Sequence, residues 1–177
     1  NVLIGAPFRL DSDLRSFYDG TLLGLFTPFA LLCGLLSVTM LVLHGATWLG
    51  LKAERGPVQK RAFAIGTVAG LLSLVLFAAG GAWVAFGDLG FRIVSEVDPN
   101  AFSNPLRATV EAADGAWMDN YATWPWMLIA PALGFLGTAA ALLGLWRKSE
   151  PLAFTGSSAG TVGIISTCPA RSIQAPA

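Results

Sequence analysis

His44 is the single histidine among 177 residues, and it lies inside a long uncharged run that also holds Met40 and Cys33. Imidazole, thioether and thiolate are, with the tyrosine phenolate, the groups that ligate haem iron, and an ionisable side chain within an apolar segment points to a site by default. Three chemistries are open to His44: axial ligation of a haem, relay of a proton, or a contact to a quinone. Each needs company. A proton path needs carboxylate partners, and the apolar runs contain no Asp, Glu, Lys or Arg. A haem clamp needs a second ligand from the opposite side, whereas Met40 and His44 are four residues apart and share one face of one helix. Met127 stands near the outer end of another run and His44 toward the inner end of its own, so these two differ in depth. A neutral imidazole bonded to a neighbouring helix or a water, about two turns from Lys52, accounts for His44 more simply. A five-coordinate site on His44 alone stays geometrically open, but on the simpler reading the chain is expected to have no catalytic, cofactor-binding or metal-binding residue of its own.

The remaining reactive residues add little. Cys33 and Cys168 form no CxxC pair, and one histidine cannot build a zinc site or a Ser/His/Asp or Cys/His constellation. Cys33 reads as a small apolar residue inside a span, so a disulfide to Cys168 is not expected. The stretch from Gly156 to Gly163 resembles a phosphate loop only in its glycines, since it lacks the GK[ST] ending and a preceding strand. Lys plus Arg and Asp plus Glu stand at 11 each, so no basic excess exists to neutralise nucleic-acid phosphates.

The elements that must position these residues are apolar helices. The chain is 54% hydrophobic and 12% charged, with mean hydropathy +0.63, against about 25% charged residues in a soluble domain. A bilayer core about 30 Å thick needs roughly 20 apolar residues in a helix. Three uncharged runs qualify, at about 28–51, 62–86 and 125–146. The first opens on Thr27-Pro28, a cap followed by a proline at the first helical position, and the third carries Pro131 as an expected kink. A fourth run, 152–165, is short and diluted by glycine and serine, and reads as a partial span. The fold class is an all-α polytopic transmembrane bundle of three full spans and this partial fourth. Gly66, Gly70, Ser73, Gly80 and Gly81 on the second span, and Ala130, Gly134 and Thr138 on the third, are expected to face other helices rather than lipid.

Alternating spans place residues 52–61 and 147–151 on one side. Those short loops hold Lys52, Arg55, Lys60, Arg61, Arg147 and Lys148 against Glu54 and Glu150. The longer loops 1–26 and 87–122 spread Arg9, Arg15, Arg92 and Arg107 among nine acids. Dense Lys/Arg in short loops stays cytoplasmic, so the N-terminus is expected outside, in a bacterial inner membrane. Trp48, Trp83, Trp124, Trp126 and Trp146 fall near span ends, where interfacial anchors belong. Within the outer loop 87–122, Ser103 as a cap and Leu106, Val110, Ala113 and Trp117 at helical spacing predict an interfacial amphipathic helix. Residues 166–177 read as an aberrant or disordered tail. Without an initiator Met or a signal peptide, the chain reads as an internal piece of a larger membrane protein.

An ordered series of short motifs then adds what periodicity does not. Asn1-Val2-Leu3-Ile4-Gly5-Ala6-Pro7-Phe8, Leu25-Phe26-Thr27-Pro28-Phe29-Ala30-Leu31-Leu32-Cys33-Gly34 and Gly45-Ala46-Thr47-Trp48-Leu49 resemble subunit II of the cytochrome bd-type quinol oxidases. Phe77-Ala78-Ala79-Gly80-Gly81-Ala82-Trp83, Ser103-Asn104-Pro105-Leu106, Gly115-Ala116-Trp117 and Ala130-Pro131-Ala132-Leu133-Gly134 continue the resemblance in order, over roughly residues 1–165. The resemblance implies a subunit of about twice this length with eight transmembrane helices. Its partner is a haem-bearing subunit I, in a heterodimer that oxidises quinol and reduces dioxygen to water. The haems and the quinol-oxidising loop belong to subunit I in that family, while subunit II scaffolds it and lends acidic residues from its early helices to a proton path. Those helices precede Asn1, so no family functional residue maps onto this chain, and no cofactor is expected on it. After Ile165 the sequence departs from the family pattern, as truncation or a reading-frame error would make it.

Two other readings explain the same spans. A transporter fragment accounts for a broken, glycine-rich fourth span, although clustered polar residues are missing from the others. A non-redox structural membrane protein fits every physical observation, and only the ordered motifs separate it from an oxidase subunit.

Overall fold

The computed structural model describes residues 8–11, 13, 15–87, 90–95, 109–113 and 118–167. Four long helices carry it. Helix α1 (Pro28–Lys52) starts as its sequence dictates: Pro28 fills the first position, and the Thr27 hydroxyl accepts the Ala30 N–H at 3.2 Å. Lys52 closes it, a cation against the negative end of the helix dipole. Helix α2 (Pro57–Phe86) begins earlier than the expected boundary at Ala62. The uncharged run marks where apolar surface starts, whereas Gly56-Pro57 marks where the helix starts, and exposed Lys60 and Arg61 ride on its first turns.

The third span enters through a 3₁₀ turn, Pro125–Leu128, and continues as helix α4 (Ile129–Trp146), after the short α3 (Asp119–Thr123). Pro131 falls in the first turn of α4, where a missing N–H costs no intrahelical bond. The expected kink is thus a change from 3₁₀ to α just ahead of the proline. Helix α5 (Glu150–Ser166) is continuous across the glycine-rich stretch. Three segments, Pro28–Lys52, Pro57–Phe86 and Pro125–Trp146, are long and apolar enough to cross a bilayer, with mean hydropathies of 2.0, 2.2 and 2.0. All five tryptophans near the span ends are exposed, as interfacial anchors require.

The helices form two hairpins, α1–α2 and α4–α5, which dock through α1 on α5 and α2 on α4. Leu43, Ala69, Ala141, Leu145 and Ala153 make the buried core, with Phe63 against it. Gly66 lies under Ala46 and Leu145, and Gly70 under Leu142 and Leu43, so the small-residue face of α2 is the buried one, as its spacing predicts. Gly80 meets Leu32, while Gly81 faces no atom within 4 Å. Because residues 43, 70 and 142 share one level and 46, 66 and 145 the next, the loops 53–56 and 147–149 emerge at the same end of the bundle. Gln59 fastens that end, its side-chain amide donating to the Gly50 carbonyl and to Glu150 Oε1, both at 2.9 Å.

The tightest contact lies between α4 and α5. Gly134, Gly137, Ala141 and Gly144 on one helix meet Gly163, Gly160, Gly156 and Ala153 on the other, rung by rung and antiparallel. The spacing is three, four, three on both helices, the heptad alternation that keeps one seam facing a partner. At Gly137, Gly144 and Gly163 an added Cβ would run into the facing backbone itself, which leaves no room for any side chain. Several hydroxyls in the spans are satisfied within their own helices, for example Thr67 donating to the Phe63 carbonyl and Thr138 to the Gly134 carbonyl, both at 2.8 Å.

Outside the helices are two antiparallel pairs. Strand β1 (Phe8–Leu10) pairs with β2 (Ser16–Tyr18), next to an Arg9–Asp19 ion pair at 3.1 Å on the surface. Strand β3 (Phe91–Ile93) pairs with β4 (Val110–Ala112), in a register that sets Arg92 opposite Glu111. This corrects the expected amphipathic helix: its Val110 and Ala113 positions lie on or beside a strand, held by Val94 N–H donating to the Thr109 carbonyl at 3.0 Å. The β-branched pair Thr109-Val110 suits an extended strand as well as a helix face, and the partner strand decides between them. Ser103, Leu106 and Trp117 lie outside the described residues. Of the tail, Ser166 ends α5 and Thr167 follows it in a turn, and the rest lies outside the described residues.

Candidate functional site

Two buried hydroxyl residues, Thr47 and Ser157, meet His44 where α1 crosses α5. His44, half-buried on α1, brings Nδ1 to 3.1 Å from the Ser157 hydroxyl on α5. Ser157 also stands 2.8 Å from the Thr47 hydroxyl, and both hydroxyl residues are 1% exposed. Thr47 donates to the His44 carbonyl and Ser157 to the Phe154 carbonyl, each at 2.9 Å. A ring ladder leads away from this node toward the basic end: His44 to Phe154 at 5.3 Å between centroids, Phe154 to Trp48 at 5.3 Å, and Lys52 Nζ 5.1 Å from the Trp48 ring. The cation–π contact holds the ammonium beside the last turn of α1. A second polar contact deeper in the bundle joins α2 to α1, where buried Ser73 donates to Thr39 at 3.0 Å.

The reading of His44 as an imidazole bonded to a neighbouring helix thus acquires its partner, Ser157. Sequence reasoning missed that partner, and Thr47 as well. The small residues around Ser157 were the available signal, because Gly156 and Gly160 beside it mark the buried face of α5. Met40 is buried one turn from His44, on the same side of α1. Met127 sits in the 3₁₀ turn at the far end of the third span, and Cys33 is on the exposed surface of α1. Cys168 lies outside the described residues.

These side chains do not make a two-ligand haem clamp. His44 and Met40 approach from one helix face and cannot flank an iron, and Phe154 covers one face of the imidazole. Among the described residues no three His, Cys, Asp or Glu side chains come together as a metal site. Two apolar grooves run along α1. One, of about 440 Å³, lies against α2 and is lined by Val38, Val42, Ile65 and Leu72, and the other, of about 620 Å³, lies near Leu22, Phe26 and Leu35. Neither includes His44 or a charged residue. Beyond the spans, burial pushes the Tyr121 phenol above its ordinary range, so it stays neutral.

Comparison with known proteins matches this architecture. The chain is 38% identical over 167 residues to the cytochrome bd-I ubiquinol oxidase subunit 2 of Escherichia coli (strain K12), covering 94% of this chain and 44% of that one. It is 34% identical over 169 residues to the probable cytochrome oxidase subunit 2 of Haemophilus influenzae, with the same coverage of both. The chain therefore spans less than half the length of the curated relatives it matches. The family model described as cytochrome bd terminal oxidase subunit II matches residues 1–173, so the family match continues past Ile165, where the short motifs end. A multi-pass bundle of apolar helices, aligned over nearly its whole length with these relatives, belongs to the cytochrome bd terminal oxidase subunit II family.

Proposed function

We propose that this chain is a structural part of a quinol-oxidising, dioxygen-reducing terminal oxidase of the respiratory chain, packing against and stabilising a haem-bearing subunit in a bacterial inner membrane. The observation that carries the reading is the 38% identity to a ubiquinol oxidase subunit along 94% of the chain. In this reading the haems lie in the partner, quinol is the substrate of the complex, and the chain supplies helix surface rather than a reacting group. The exposed apolar residues of α1 and α2, among them Leu35, Val38, Leu41, Ile65 and Val75, give it surface for lipid and for a partner's helices. The segments 52–61 and 147–151, basic on balance and together at one end, support a cytoplasmic position for that end and an outward N-terminus.

The test is co-purification from native membrane with a tag on this chain. A larger, haem-containing partner showing quinol oxidase activity is expected. Recovery of the chain in intact form with no haem protein would overturn the reading and favour a non-redox membrane protein.

A further inference from the structure

The four contacts around His44 fix the position of its proton. Two of them end on carbonyls, so Thr47 must donate to the His44 carbonyl and Ser157 to the Phe154 carbonyl if both bonds are made. The Thr47–Ser157 contact needs a third hydroxyl proton, yet the two side chains own only two. The fourth contact, Ser157 with Nδ1, is made without drawing on them only when Nδ1 carries its own hydrogen. With Nδ1–H, three of the four contacts are satisfied; with a bare Nδ1, two are. Neither hydroxyl is accessible enough to make up the difference from water, at 1% exposure each. The imidazole has one further nitrogen, Nε2, which has no hydrogen-bond partner among the described residues, and the ring is half-buried rather than enclosed.

We propose that Ser157 holds neutral His44 as its Nδ1–H tautomer, so that Nε2 presents a fixed lone pair at the accessible edge of the α1–α5 contact as a binding site for an O–H or N–H donor from outside this bundle. A bare nitrogen within a membrane span is costly unless it is bonded, which gives the site its affinity for a donor. Its geometry is set in advance, because the ring is gripped at Nδ1 and stacked on Phe154 at 5.3 Å. The donor has two sources of one chemistry: a side chain of a helix that docks on the bundle, or water and lipid headgroups reaching in from the basic end along the Phe154–Trp48 side.

His44 is the only histidine of the chain, so ¹⁵N-histidine labelling reports one imidazole. In lipid nanodiscs, Nδ1 is expected to resonate as a protonated nitrogen and Nε2 as a bare one. Thr47→Val leaves the Ser157 and Nδ1 contacts in place and should keep this tautomer, whereas Ser157→Ala removes the acceptor and should shift the proton to Nε2 in a large fraction of molecules. An Nε2 resonance already moved upfield toward the bonded range in nanodiscs identifies water or headgroup as the donor. One that moves only when the labelled chain is co-assembled with the rest of its oxidase identifies a partner's side chain. A protonated Nε2 in the unmodified chain overturns the tautomer assignment, and a bare Nε2 that stays unbonded in both settings overturns the donor site.

Discussion

Replacing Gly156 by alanine tests whether the α4–α5 ladder holds the bundle. A methyl group there would stand 2.5 Å from the Ala141 nitrogen and 2.8 Å from the Ala140 carbonyl carbon. Carbon atoms rest at about 3.5–4.0 Å, and both obstacles are backbone, so relief requires the helices to part by roughly 1 Å at that rung. A gap of that size forfeits about a quarter to a half of each dispersion contact along the seam. Overpacking of this kind costs about 1–3 kcal/mol, while the alanine returns about 0.5–1 kcal/mol of helix propensity. The net expectation is a loss centred on about 1 kcal/mol, within a range of about 0–2.5 kcal/mol. Gly34→Ala is the control, since no atom lies within 4 Å of the added carbon and only the propensity gain remains. Reversible unfolding in mixed micelles, followed by tryptophan fluorescence, would measure both. Equal stability of the two variants would refute the claim that backbone contact carries this interface.

Three other outcomes are expected. Lys148 adopts φ 55° at the end of α4, where Ser149 N–H reaches the Gly144 carbonyl at 2.8 Å and Lys148 N–H the Leu145 carbonyl at 3.2 Å, so Lys148→Gly should stabilise the fold by about 1 kcal/mol in the same unfolding assay. Gly70→Leu should abolish assembly of the parent complex, because even one added carbon lies 2.7 Å from Leu142 Cδ2, whereas Leu74→Ile should assemble normally in blue native gels. In a background with Cys33→Ala and Cys168→Ser, a cysteine at Thr109 should react with an impermeant thiol reagent in intact cells and one at Glu54 should not; the reverse pattern would invert the topology.

The apolar runs made α1 legible to within a residue, because Thr27-Pro28 and Lys52 are local signals acting on local backbone. The buried face of α2 was equally legible, since Gly66 and Gly70 are small residues one turn apart. The glycines of α5 were legible as packing residues, but not the α4 backbone as what they pack on, for a physical reason. Hydropathy scores a glycine as a weak membrane residue, yet at Gly156, Gly160 and Gly163 the missing side chain is what admits the α4 backbone. The three-four-three spacing was present in both segments, but it gains meaning only once the helices are known to be antiparallel neighbours. The His44–Ser157 contact spans 113 positions, beyond any local pattern. In the loop 87–122, three-residue strands are too short for a period of 2 to be told from 3.6, so pairing with 91–93 decided the conformation of 110–112.

The two hairpins also set an order of assembly. Gly144 and Ala153 meet across only nine positions of chain, and the turn at 147–149 delivers the remaining rungs in sequence like a zipper. Contacts between hairpins, such as His44 with Ser157, must wait for a much longer loop to close. Each hairpin is thus a unit of insertion, with its own closed backbone and its own seam, and docking is a second, separable event. A chain severed between residues 113 and 118 keeps both units whole, and two co-expressed halves should find each other in the membrane as the joined chain does.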